Sequence, residues 1–310
     1  MRSLGLALIL ATAALVSACT EQADAQAPPA AHAAPEASSA DGQPYVLQGT
    51  QVWTVPDPVS GRDYEVFVSL PASYEKEPQR RYPTLYVTDA DYSFPILRQI
   101  ARRVNLDGPV IEEFILVGLS YAKGEDGAAS RSRDYTPVPC DPPSSCARAH
   151  GGGDAYQGYL KAEVLPFIEG RFRADPGARV LLGHSYGGLL GAQILFSDPQ
   201  MFQTYVLGSP SFWFGQRRIM TMEADYAQSH TDLPAEVFMY IGAFETPGPT
   251  RRHASRFDMV GDLRAMEQVL KSRRYPSLSL ATTVLDDEDH LTVAPAGFTR
   301  ALLAVLPAKS

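Results

Sequence analysis

The chain has 310 residues, 45% of them hydrophobic and 20% charged, so it can bury a sizeable core and is neither disordered nor collagen-like in composition. Lys plus Arg is 27 and Asp plus Glu is 35, giving a formal net charge of -8, without the basic footprint of a general nucleic-acid binder. Three cysteines exclude a disulfide scaffold and a four-cysteine zinc site.

The first predicted element is an export signal. Met1-Arg2, the apolar run Leu4 to Val16 and the small residues Ser17 and Ala18 form a charge, a greasy core too short to span a bilayer, and a cleavage site. Val16-Ser17-Ala18-Cys19 resembles a bacterial lipobox, which implies that residues 1–18 are removed and that Cys19 carries the lipid. With Thr20 next, the expected destination is the outer membrane, facing the periplasm or the cell surface. Cleavage takes away Arg2 and no acid, leaving 26 basic against 35 acidic residues. Thr20 to Gly42 holds nine Ala and three Pro in 23 residues without apolar periodicity, so residues 19–44 are expected to be a flexible tether reaching roughly 25 to 30 Å. Residues 45–310 then form one catalytic-sized domain.

Eight strands are predicted in it: Thr50 to Val55, Arg62 to Leu70, Tyr82 to Val87, Glu113 to Leu119, Val180 to Leu182, Tyr205 to Gly208, Glu236 to Ile241 and Ser277 to Leu285. Arg62 to Leu70 alternates, as an outer strand does, while Phe114 to Val117 and Val180 to Leu182 are continuous apolar runs suited to a parallel sheet covered on both faces. A helix is predicted over Asp154 to Arg171, with Tyr156, Leu160, Val164 and Ile168 on one face and a kink at Pro166. A strand meander followed by strand and helix in alternation predicts an α/β fold, its mostly parallel central sheet carrying helices on both faces.

The most informative motif is Gly183-His184-Ser185-Tyr186-Gly187-Gly188, set between a buried strand and the apolar helix Leu189 to Phe196. A strand-to-helix turn this sharp leaves little room for side chains two residues either side of Ser185, and it exposes the hydroxyl at its tip. A hydroxyl at its ordinary pKa is a poor nucleophile, so a histidine must take the proton and an acid must orient the ring, in chain order Ser, acid, His. Of His230, His253 and His290, the three histidines after Ser185, His290 follows the final strand and precedes the last helix, where a base should hang. His230 lies at the wrong end of the sheet, and His253 in an Arg-rich segment expected to open a helix. Glu245, four residues past its strand, is the preferred acid, with Asp287 of the cluster Asp286 to Asp289 as its rival. Two oxyanion donors are expected, the backbone N–H of Tyr186 and one from Asp89-Ala90-Asp91, with Asp91 the candidate.

With these residues in place, the chain resembles the α/β-hydrolase "putative esterase" family, which includes siderophore (enterochelin) esterases and esterase D. The similarity runs from Arg62 to Leu306 through Arg81-Tyr82-Pro83-Thr84-Leu85-Tyr86 leading to Asp89, Arg133-Asp134-Tyr135-Thr136-Pro137, Gly151-Gly152-Gly153-Asp154, Leu165-Pro166-Phe167-Ile168, Gly183-His184-Ser185, Ser209-Pro210-Ser211-Phe212-Trp213, Gly242 with Glu245, and His290. It departs at Asp89-Ala90, where the family usually has Asp-Gly. The resemblance implies an α/β-hydrolase fold, a serine esterase with this triad, and no metal or organic cofactor. It also sets Arg133, Asp134 and Trp213 at the mouth of the site, although Arg133 with Asp134 is equally read as a buried ion pair and Trp213 as a packing anchor. An acyltransferase would use the same residues, and a silent ligand-binding lipoprotein is the alternative from another class. For an exported chain, Cys140 and Cys146 are expected to pair as a disulfide, and His150 beside them gives a metal-like spacing with only three ligands.

Overall fold

The computed structural model describes residues 44–309 except 143, 145 and 255. Cys19, the signal and most of the tether lie outside the described residues. Among the described residues, eight strands form a single sheet: β1 (Thr50–Asp57), β2 (Arg62–Ser69), β3 (Tyr82–Thr88), β4 (Ile115–Ala122), β5 (Ala174–His184), β6 (Thr204–Gly208), β7 (Glu236–Gly242) and β8 (Ser279–Leu285). Their order across the sheet is β1-β2-β4-β3-β5-β6-β7-β8. β1 pairs with β2 and β2 with β4 antiparallel, and every later pair is parallel. This is the α/β-hydrolase sheet.

Among the described residues, eight α-helices lie between and after the strands: α1 (Ala90–Val104), α2 (Gly127–Asp134), α3 (Gly153–Tyr159), α4 (Leu165–Arg171), α5 (Tyr186–Ser197), α6 (Phe214–Ser229), α7 (Met259–Arg273) and α8 (Val293–Val305). Successive strand residues point to opposite faces, so the sheet feeds two cores. On one face Leu85, Val87, Leu116, Val180, Leu182 and Val206 meet Phe94 and Leu97 of α1 and Phe298 and Leu302 of α8. On the other, Tyr86, Val117, Leu181, Tyr205, Leu207 and Met239 meet residues of α3 to α7. Burial on both faces explains why Phe114 to Val117, leading into β4, and Val180 to Leu182 of β5 read as continuous apolar runs, every residue of both being buried.

Two segments depart from expectation. The helix predicted over Asp154 to Arg171 buries Tyr156, Leu160, Val164 and Ile168 as its periodicity requires. Between α3 and α4, however, it passes through a π turn at Leu160–Val164, closed by the Leu165 N–H on the Leu160 carbonyl. The wider turn comes just before Pro166, which has no N–H to give the ladder. At His253 no helix opens: α7 starts at Met259, where the Asp258 carboxylate caps the Gly261 N–H at 2.9 Å.

Candidate active site

β3 and β5 are parallel neighbours, so their carboxyl ends deliver two chain reversals to one rim of the sheet. At the end of β5, Ser185 takes φ 61 and ψ -117, a conformation costly for a residue with a Cβ, and α5 begins at the next residue. Both flanking glycines are sterically required. A Cβ on Gly183 would lie 2.1 Å from the Gly187 carbonyl oxygen, and one on Gly187 would lie 2.1 Å from Thr88 Oγ1. The backbone holds the turn from below through Ser185 N–H to the Gly208 carbonyl, 2.8 Å, and Leu189 N–H to the Ser185 carbonyl, 3.0 Å. The hydroxyl is left at the tip, partly exposed.

Across the rim, the loop between β8 and α8 carries His290, whose Nε2 is 3.0 Å from Ser185 Oγ. Its Nδ1 is 2.6 Å from Glu245 Oε2. Glu245 is 1% exposed, and its other oxygen is not left bare: Oε1 accepts from Ser209 Oγ at 2.5 Å and from the Gly242 N–H at 2.8 Å. A buried carboxylate with that many donors is fixed in direction. The structure therefore brings Ser185, His290 and Glu245 into one relay. Asp287 takes no part in it: 85% exposed at its side chain, it pairs with Arg252 at 2.7 Å. Asp289 also binds Arg252, and that hydrogen bond, against a smaller opposing effect of burial, holds its carboxyl below the ordinary value. The acidic cluster shapes the loop that presents His290. His230 stacks on Tyr226 and His253 packs on Phe244, both outside the relay.

The candidate oxyanion amides each fall in the first turn of a helix. Tyr186 is the first residue of α5, and Asp91 is the second of α1, whose cap, Asp89, makes no side-chain bond to the helix. First-turn amides have no partner within their own helix and point outward along its positive end. Ala90, standing where the family usually has Gly, is fully buried over Gly118, where an added Cβ would come within 2.9 Å of the Ala90 Cβ.

A family model described as "Putative esterase" matches residues 58–276. The chain belongs to this esterase family. It is 27% identical over 271 residues to the ferri-bacillibactin esterase BesA of Bacillus subtilis, covering 83% of this chain and 90% of that one. It is 29% identical over 266 residues to the siderophore triacetylfusarinine C esterase of Aspergillus fumigatus, covering 78% and 88%. Among solved structures it resembles the siderophore hydrolase EstB from Aspergillus nidulans, with TM-score 0.74 and 24% identity over 86% of this chain and 98% of that chain.

The structure places the residues drawn from the family resemblance differently. Arg133 and Asp134 of this esterase bind each other, at 2.8 and 2.9 Å, and Asp134 is buried, accepting also from Tyr64 and Ser130. Arg133 further reaches Glu125, and no described contact links either residue to the relay. Two adjacent opposite charges at the end of α2 satisfy each other inside the fold. The cation that does reach the turn is Arg131, which sequence reading passed over. Its Nε is 2.7 Å from Asp89 Oδ1, its Nη2 donates to the His184 carbonyl at 3.2 Å, and its guanidinium lies over the Tyr186 ring at 5.2 Å. Burial opposes its charge, but the Asp89 carboxylate more than offsets this and keeps its pKa above the ordinary value.

Trp213 does stand at the rim. Its ring is 6.3 Å from that of Tyr186 and stacks on Phe257 at 4.0 Å, walling a cavity of about 350 Å³ with Arg217, Arg256 and Asp258. His150 stacks on Phe214 at 5.3 Å and edges onto Tyr186 at 6.0 Å, extending the aromatic wall. Cys140 and Cys146 form a disulfide. Their sulfurs and a ring nitrogen of His150 lie within 4.8 Å of one another, but the bridge takes up the thiolates a metal would require.

Proposed function

We propose that this esterase is a serine hydrolase acting on siderophore esters through an acyl-enzyme. The single observation that carries the reading is the relay itself, with Ser185 Oγ 3.0 Å from His290 Nε2 and His290 Nδ1 2.6 Å from a buried Glu245. Ser185 Oγ attacks the ester carbonyl while His290 Nε2 takes its proton. The imidazolium so formed is held by Glu245, which keeps its own charge. The tetrahedral oxyanion is met by the N–H groups of Tyr186 and Asp91. His290 then passes the proton to the departing alcohol oxygen, and a water, deprotonated by the same nitrogen, releases the acid and restores Ser185.

The names of the two relatives support the substrate class, as does a rim walled by Tyr186, Trp213, Phe214 and Phe257, on which flat aryl or hydroxamate groups can pack. The lipobox-like Val16 to Cys19 supports a tethered enzyme facing the periplasm or the cell surface.

The test compares hydrolysis of trilactone and hydroxamate-ester siderophores with a short-chain p-nitrophenyl ester. At least one siderophore is expected to be cleaved with the higher kcat/KM. Ser185→Ala is expected to cut kcat by about 10⁴-fold or more, with unchanged circular dichroism. Wild-type turnover in S185A contradicts the mechanism, and faster cleavage of the simple ester than of every siderophore contradicts the substrate class.

A further inference from the structure

His184 is the one residue of the sharp turn that the proposed chemistry leaves idle. It ends β5, immediately before Ser185, and its Nε2 lies 3.0 Å from the backbone oxygen of His290. A carbonyl oxygen only accepts, so Nε2 carries a proton and donates it. Nδ1 is sealed from solvent and has no partner among the described residues. In a neutral ring that atom is a lone pair. Protonated, it would be a buried N–H with nothing to bind, at a far larger cost.

The groups facing the ring deepen that preference. The His290 imidazole, from the loop before α8, stands 4.9 Å away, ring to ring, and Tyr240 of β7 stacks at 6.3 Å. Arg131 of α2 donates to the His184 carbonyl. The nearby carboxylates are committed elsewhere, Asp89 to Arg131 and Glu245 to His290. Burial first, then His290 and Arg131, push the His184 pKa down to about 3, against the opposing effect of its bond to the His290 carbonyl.

We propose that His184 is a positioning residue, a neutral donor that ties the main chain of His290 to the strand carrying the nucleophile. This rests on the reading of His290 as the general base. The tie is needed because His290 hangs on an irregular loop, with its own side chain 36% exposed and Leu291 after it 81% exposed. One hydrogen bond joins the residue before Ser185 to the base itself, so strand and loop cannot drift apart independently. Displacement of a reacting group by about 1 Å can cost on the order of 100-fold in rate.

The experiment compares wild type, His184→Phe and His184→Gln on one ester, with folding checked by circular dichroism. His184→Phe keeps the bulk and loses the donor, and kcat is expected to fall by about 10- to 100-fold with KM within about twofold. His184→Gln places an amide N–H near the same carbonyl and is expected to recover most of that loss. The acid limb of kcat/KM should titrate with one proton in wild type and in H184Q. A folded H184F with wild-type kcat overturns the proposal, as does an H184Q no better than H184F. Should H184F fail to fold, H184Q and the wild-type acid limb still decide, and a two-proton limb overturns the neutral donor. An active His290→Ala would instead overturn the base on which the proposal rests. Inactive H290A beside fully active H184F would overturn only the clamp.

Discussion

Glu245 gathers three donors on two oxygens, from Ser209, the Gly242 N–H and His290. Its proposed task is to hold the imidazole in the tautomer whose Nε2 faces Ser185 and to stabilise the charge that arrives. Glu245→Gln keeps the shape and removes the charge, so kcat should fall by about 10³- to 10⁴-fold with little change in KM, read from steady-state kinetics on the purified variant. A loss below about tenfold would move the orienting acid elsewhere. Ser185, Glu245 and His290 were legible in the sequence because chain order and strand ends constrain them. Ser209 and Arg131 were not, since their importance lies in contacts with Glu245, 36 residues away, and with Asp89 and His184, 42 and 53 residues away. For Arg133 and Asp134 the sequence left two readings open, the mouth of the site and a buried ion pair; packing shows the pair, with Asp134 buried.

The turn between β5 and α5 is held by backbone contact. A methyl on Gly183 meets the carbonyl group of Gly187, which cannot rotate aside as a side chain would. Gly183→Ala should therefore destabilise the protein by about 1 to 3 kcal/mol. For a domain of this size that is on the order of several degrees in melting temperature, measured by calorimetry. An unchanged melting temperature would mean that strand and helix separate without cost. The same closeness made the element visible in the sequence, as glycines at both flanks of a serine after an apolar strand. The other strands were visible through burial on two faces, which leaves continuous apolar runs in the middle of the sheet and alternation at its edge. Less could be read of β5 itself. Its first half, Ala174 to Arg179, is polar and irregular and is joined to the sheet through Ala174 beside Tyr82, a pairing that local pattern does not encode. The π turn before Pro166 was hidden too, because helical periodicity stays in phase closely enough to bury the same four residues.

Across the whole molecule, residues Leu47–Ser310 form one compact unit, and the family match lies inside it. The proposed lipid anchor is a property of residues outside the described part and can be tested apart from catalysis. Expressed in full in a bacterium that processes lipoproteins, the wild-type chain should fractionate with membranes and carry the mass of acyl chains at Cys19. Cys19→Ser should be released with its esterase activity intact, and equal membrane association of both forms would contradict the anchor. The catalytic claim has a more direct probe. Intact protein is treated with a fluorophosphonate, and the adduct is located by mass spectrometry. One adduct per chain on the peptide containing Ser185 is expected, absent in Ser185→Ala and formed at least about 100-fold more slowly in His290→Ala. Folded wild-type protein that takes no label, or takes it equally well without Ser185 or without His290, would contradict the relay on which the functional reading stands.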